Sequence, residues 1–118
     1  MAFSNPLVLT INSVAKNLAK INTDNFGSEY LLIESLSEFR AKIRHSRRTN
    51  KGIVYDRHNI EIVETVYATS TVPEFDRKVY LVLENKKGDS TSSLEDIGDA
   101  FSALLNTAAY TNLVSWQN

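Results

Sequence analysis

The sequence predicts an α+β fold: an N-terminal hairpin and an antiparallel β-sheet followed by two C-terminal α-helices. Three observations carry this. Up to about residue 84, segment after segment alternates apolar and polar residues with the two-residue period of a strand. From residue 92 the apolar residues recur at helical spacing instead. Strands that all precede the helices, rather than alternating with them, imply an antiparallel sheet with helices on one face.

The elements follow in order. Residues 7–11 (LVLTI) read as a short strand opened by Pro6, which a strand start tolerates. Asn12 and Ser13 form a turn. Residues 14–21 carry Val14, Leu18 and Ile21 at helical spacing, but a two-residue turn after a strand argues for a hairpin, which is the reading adopted. A polar loop, 22–27, ends in Gly27, and strands are expected over 28–34 and 38–48. After a turn at 49–52 comes a strand over 53–67, with Ile60, Ile62 and Glu64 on one parity and Asn59, Glu61 and Val63 on the other. Residues 68–73 break it with a loop, and residues 75–84, rich in β-branched and aromatic types, form the last strand.

A loop over 85–90 precedes the change of period. Ser92 and Glu95 have the spacing of a capping box, and Glu95, Asp96 and Asp99 suit the positive end of a helix dipole. Leu94, Ile97, Phe101, Leu104, Leu105 and Ala108 make one apolar face. A second helix around 108–116 groups Tyr110, Leu113 and Val114 ahead of Trp116. With no linker or repeat, the expectation is one domain over 1–118, strands within 7–84 and helices within 92–116.

Composition excludes several function classes. The 118 residues are 42% hydrophobic and 23% charged, as in ordinary globular chains, and the net charge of −1 is not that of a generally basic nucleic-acid binder. The absence of cysteine removes disulfides, thiolate catalysis and Cys-ligated metals. The N-terminus lacks the pattern of a signal peptide, and no apolar run reaches the ~18 residues of a membrane span, so no membrane partner and synthesis in the cytoplasm are expected.

Charge is segregated locally. Arg40, Lys42, Arg44, Arg47, Arg48, Lys51 and Arg57 fall in one window whose single acid is Asp56. Within it the even positions read Arg40, Lys42, Arg44, Ser46, Arg48, and the odd ones Phe39, Ala41, Ile43, His45. On a strand this sets a basic row against a mostly apolar one. A row of one sign suggests a sheet face that meets an anion; the plain alternative is a solvated face. His45 and His58 share the apolar parity and read as core or interface residues. Two histidines without cysteine or clustered carboxylates do not make a metal site, and no nucleophile–base pair stands out. No enzyme activity, metal or cofactor is expected.

The architecture has a mismatch. One helix of about four turns, roughly 22 Å long, with a short second helix does not cover a face of five or six strands. Helices exchanged within an obligate dimer would complete the cover.

Residues 7–11 with the following hairpin, 39–48 (FRAKIRHSRR), 57–62 (RHNIEI), 66–72 (VYATSTV) and 78–82 (KVYLV), in this order and before two helices, resemble the coat protein of the small single-stranded RNA bacteriophages, the levivirus type. The resemblance covers almost the whole chain. It implies an interlocked homodimer with a continuous sheet, helices packed on its outer face, and assembly into an icosahedral shell of a virion made in a bacterial host. The inner face would bind genomic single-stranded RNA, and dimers of the family can bind an RNA hairpin and repress translation. Carried onto this sequence, the RNA-binding residues would be Arg40, Lys42, Arg44, Ser46 and Arg48 on one strand, Arg57, Asn59 and Glu61 on the next, and Lys78 and Tyr80 on the last. Tyr80 would stack a base or, on the plain reading, pack across strands. Thr69, Ser70, Thr71, Val72, Pro73 and Glu74 would form the loop at the shell's symmetry axes. Glu61 departs from the pattern, since a carboxylate repels phosphate; either it pairs with Arg44 or Lys42 across strands, or the register is shifted by one. The rival readings are a non-viral dimeric RNA-binding module without shell assembly and a small enzyme or ligand-binding domain, for which no residues were found.

Overall fold

The computed structural model describes residues 3–117. Six strands form one antiparallel sheet in chain order: β1 (Leu7–Ile11), β2 (Val14–Asp24), β3 (Gly27–Ile33), β4 (Ser37–Asn50), β5 (Ile53–Val66) and β6 (Phe75–Lys86). Two helices follow, α1 (Thr91–Leu104) and α2 (Thr107–Val114). The α+β order read from the sequence is the one observed, with strands extended by one to three residues at several ends.

Turn chemistry sets the register. Asn12 and Ser13, with φ of 50° and 64°, join the Ile11–Val14 pair; Lys51 and Gly52, with φ of 52° and 79°, join Asn50 to Ile53. Two consecutive residues at positive φ are the tight hairpin connection whose twist matches that of strands. From the second turn β4 and β5 pair without interruption from Asn50–Ile53 to Ser37–Val66. Gly27 has a different reason to be glycine: a Cβ there would sit 2.3 Å from the Ile43 carbonyl oxygen on β4.

The sheet curls at its N-terminal side. A register shift lies between Lys20 and Asn22 on β2. Beyond it the hairpin bends over the sheet, so that Leu7, Leu9 and Leu18 pack in one cluster with Phe39, Ala41 and Ile43 of β4, two strands away from β2. The Lys16 ammonium lies 5.7 Å from the centre of the Phe39 ring and 2.9 Å from a Glu34 carboxylate oxygen. The buried residues Leu18, Tyr30, Phe39, Ala41 and Ile43 all lie on β2, β3 and β4.

The helices are different. The capping box expected at Ser92 does not form: Ser90 is the N-cap, so Ser92 lies inside the first turn and Glu95 beyond it, and Ser92 Oγ meets Ser90 Oγ at 2.9 Å. α2 has a side-chain cap, the Asn106 Oδ1 accepting from the Ala109 N–H at 2.9 Å. α1 touches only β6 closely, where Gly98 faces Leu83. Among the described residues none in either helix is buried, and the apolar face read as core lies open: Ile97 is 68% and Leu104 66% exposed. The Cα radius of gyration is 16.9 Å, against about 13.5 Å for a compact chain of this length.

One core group is unpartnered. Tyr30 is fully buried, and its hydroxyl has no hydrogen-bond partner among the described residues. A buried donor left unmade costs roughly 1–3 kcal/mol. Tyr30→Phe is therefore expected to raise stability by about 1 kcal/mol, read as a higher urea midpoint; a lower midpoint would show that the hydroxyl is bonded.

Candidate functional site

The polar row of β4 faces away from the core, and the ladder carries that face across the sheet. Ser46 stands opposite Arg57, Arg44 opposite Asn59, and Lys42 opposite Glu61. On β6, Tyr80 pairs with Glu61, and Lys78 with Val63. The ten residues singled out from the sequence thus share one face. Glu61 lies on it as read; its carboxylate partner is Lys78, at 3.8 Å, rather than Arg44 or Lys42. Tyr80 is half-exposed. Arg47, counted in the basic window, points to the opposite face with His45, where it pairs with Asp56 at 2.7 Å.

The face is not the one-signed surface that the β4 row suggested. The same parity brings carboxylates to it from other strands. Arg40 is clamped between Glu29 of β3 and Glu38 of its own strand. Arg44 meets Asp24 at 3.6 Å. Arg48 donates to Glu84 from Nε at 2.6 Å, and its guanidinium lies 4.7 Å from the Tyr55 ring centre. By register Arg40, Lys42, Arg44, Arg48, Arg57, Lys78 and Lys86 stand with Asp24, Glu29, Glu38, Glu61, Asp76 and Glu84, so positive and negative charge nearly balance. Of these cations Lys42, Arg57 and Lys86 have no carboxylate partner within ion-pair distance among the described residues.

Apart from Glu61, sequence reasoning left these acids unplaced. The signal was present for three of them: Glu38 shares the parity of Arg40, and Asp76 and Glu84 that of Lys78 and Tyr80. Asp24 and Glu29 needed the β2–β3–β4 register, which the shift near Lys20 obscures.

The ion pairs perturb both partners. The hydrogen bond from Arg40 holds the Glu29 carboxyl below its ordinary value of 4.5, against the opposing effect of desolvation. Arg48 does the same to Glu84. Each guanidinium is raised in turn by its carboxylate. Glu38 also accepts from the Tyr67 hydroxyl at 3.2 Å, at the point where β5 gives way to the next loop.

That loop includes residues 69–74 and lies between the far ends of β5 and β6. It closes on itself: Thr69 N–H donates to the Val72 carbonyl at 2.8 Å, and Thr69 Oγ1 accepts from Val72 N–H at 3.0 Å. Ser70, Thr71, Pro73 and Glu74 complete it, all exposed.

On the opposite face α1 stands off β6 and leaves a cleft of about 840 Å³, mostly apolar, lined by Leu81, Leu83, Leu94, Ile97 and Phe101. Among the described residues no three His, Asp or Glu side chains converge as metal ligands, and no helix is long and apolar enough to cross a membrane.

The Glu29–Arg40 pair has a pH signature. Because the folded carboxyl titrates lower than the unfolded one, the unfolded chain binds more protons in acid. The stabilisation is present above about pH 4.5 and is lost as pH falls through the lower folded value. In thermal melts the gap in Tm between wild type and Glu29→Gln is expected at pH 6 and should shrink below pH 4.5; a constant gap would show that the charge of Glu29 contributes nothing.

Comparison with known proteins adds a family. The family model described as "Phage phiCb5, coat protein" matches residues 4–86, which takes in all six strands and ends at the last residue of β6. No curated protein matches the chain.

Proposed function

The chain belongs to the phage phiCb5 coat protein family, a structural component of a phage capsid, and from that premise we propose that it works as a homodimer that builds an RNA-containing icosahedral shell of the levivirus type. The proposal takes residues 1–118 as one coat-protein domain whose role in the virion is structural rather than catalytic. The observation that carries it is the sidedness of the sheet: a polar face without helices, backed by an apolar face that its own helices leave uncovered.

The dimer follows from what lies exposed. β6 is an edge strand of twelve residues with one side unpaired in the chain. An edge of that length is a template for another strand. Pairing two copies through β6 would make one continuous sheet and bring each chain's helices across the other's cleft. Apolar residues such as Leu104, Leu113 and Ile97 would then leave water, which stabilises the pair by roughly 25 cal/mol per Å² of apolar area removed.

The shell's RNA would meet the polar face. Lys42 and Arg57 are free to take phosphate. Arg40, Arg44, Arg48 and Lys78 exchange a carboxylate for a phosphate only by breaking ion pairs. Ser46 and Asn59 supply hydrogen bonds, and Tyr80 a stacking surface for an unpaired base. Glu61 holds Lys78 in place and subtracts from the attraction. Genomic single-stranded RNA is the partner of this face, and repression of translation through a bound hairpin uses the same residues. The loop over Thr69–Glu74 meets its copies at the symmetry axes.

Protein expressed alone should give uniform closed particles containing host RNA in electron micrographs. Leu104→Asp should give none and scatter light as a folded monomer, since Leu104 is exposed in the single chain; a stable mutant dimer would sink the exchanged-helix arrangement. The charge balance makes a second prediction. With three cations on this face unpartnered among the described residues (Lys42, Arg57 and Lys86), the slope of log K against log salt for single-stranded RNA should be only about −2.1 per chain. Lys42→Ala with Arg57→Ala should flatten it, whereas Arg40→Ala should change it little; binding titrations over a range of salt would read both. A slope untouched by the double substitution would remove this face from RNA binding.

A further inference from the structure

His45 and His58 stand directly opposite each other on β4 and β5, on the face that carries the helices. Their Nδ1 atoms are 2.8 Å apart, and the rings meet edge to face at 66°. Two imidazole nitrogens at that separation need one proton between them, so that one donates and the other accepts. A neutral pair satisfies this with complementary tautomers. A pair with one extra proton satisfies it too, because the imidazolium donates to its neutral neighbour. A pair with both rings protonated presents two N–H donors to each other, with no acceptor and two like charges in contact.

No neighbouring side chain among the described residues supplies an acceptor between the rings; His45 is exposed, so a ring that turns away hands its N–H to water. The next pair along the same face, Arg47 and Asp56, is closed on itself. β6 places Leu83 beside His58 and Asn85 beyond it, while Glu84 is held by Arg48 on the other face. The Phe26 carbonyl is taken by the His45 backbone N–H at 2.7 Å. Glu95 and Asp99 of α1 line the cleft that His58 also lines.

We propose that His45 and His58 form a pH-sensitive latch between β4 and β5, closed with no extra proton or one, and opened by the second. The inference concerns the folded chain and does not depend on shell assembly. Its sign is fixed by linkage. The unfolded chain leaves each imidazole room for a proton, whereas the closed latch has room for at most one extra proton between the two rings. The unfolded state therefore binds more protons in acid, and stability falls as pH drops. Because His58 is part of the cleft wall under α1, opening loosens the surface that the helices face.

Melting curves between pH 7.5 and 5.5 test this. Wild type should lose more Tm over that range than His45→Asn or His58→Asn, by about 4 °C; equal losses would overturn the latch. Hydrogen exchange of the unaltered protein gives a reading that needs no variant. After correction for intrinsic rates, peptides spanning 44–59 should exchange several-fold faster at pH 5.5 than at 7.5, with β3 unchanged; no local acceleration would also overturn it.

Discussion

The alternation of β4 is the constraint on which the rest depends. Phe39, Ala41 and Ile43 are buried, and between them Arg40, Lys42 and Arg44 are held out on the other side. A slip of one residue against β5 would exchange the two sets and bury guanidinium groups without partners. The uninterrupted ladder from the Lys51–Gly52 turn to Ser37–Val66 prevents that slip. Each neighbouring strand inherits its two faces from this pairing, and so does the division of labour between an apolar and a polar surface.

The same constraint explains why the chain looks unfinished. A sheet this wide has more apolar surface than one chain covers. The curled hairpin covers the half over β2 to β4, while β5 and β6 keep only a loosely placed α1. The helices end up with their apolar faces uncovered, as exposed apolar surface that the proposed dimer would bury. The mismatch between helix length and sheet breadth was visible in the sequence, and the exposure of Ile97 and Leu104 is its structural form.

The local features were the legible ones. Strand period, the Asn12–Ser13 turn, the two faces of β4 and the change to helical spacing all depend on residues close together in sequence, and the structure has each of them. What was missed depends on distance. Arg48 and Glu84 are 36 residues apart and meet only when β4, β5 and β6 are in register. The Glu29 partner of Arg40 needs a strand beyond a register shift. A basic row read from one strand was accurate for that strand but overstated the charge of the face. The capping box failed for a smaller reason: the helix begins two residues earlier, at Ser90, which makes no side-chain cap bond and has Ser93 rather than Glu three residues on, so spacing gives no signal for the observed start.

The two borders of the sheet are unlike each other. β6 is twelve residues long, whereas β1 has five, begins straight after Pro6 and bends away with its hairpin. A long flat border recruits another strand; a short, bent one terminates growth. A tile with one adhesive side and one blunt side closes after a single joining, because each joining consumes the adhesive side of both tiles. In the proposed dimer, the chain would thereby avoid the runaway stacking that threatens any open sheet and leave further association to surfaces other than backbone hydrogen bonds.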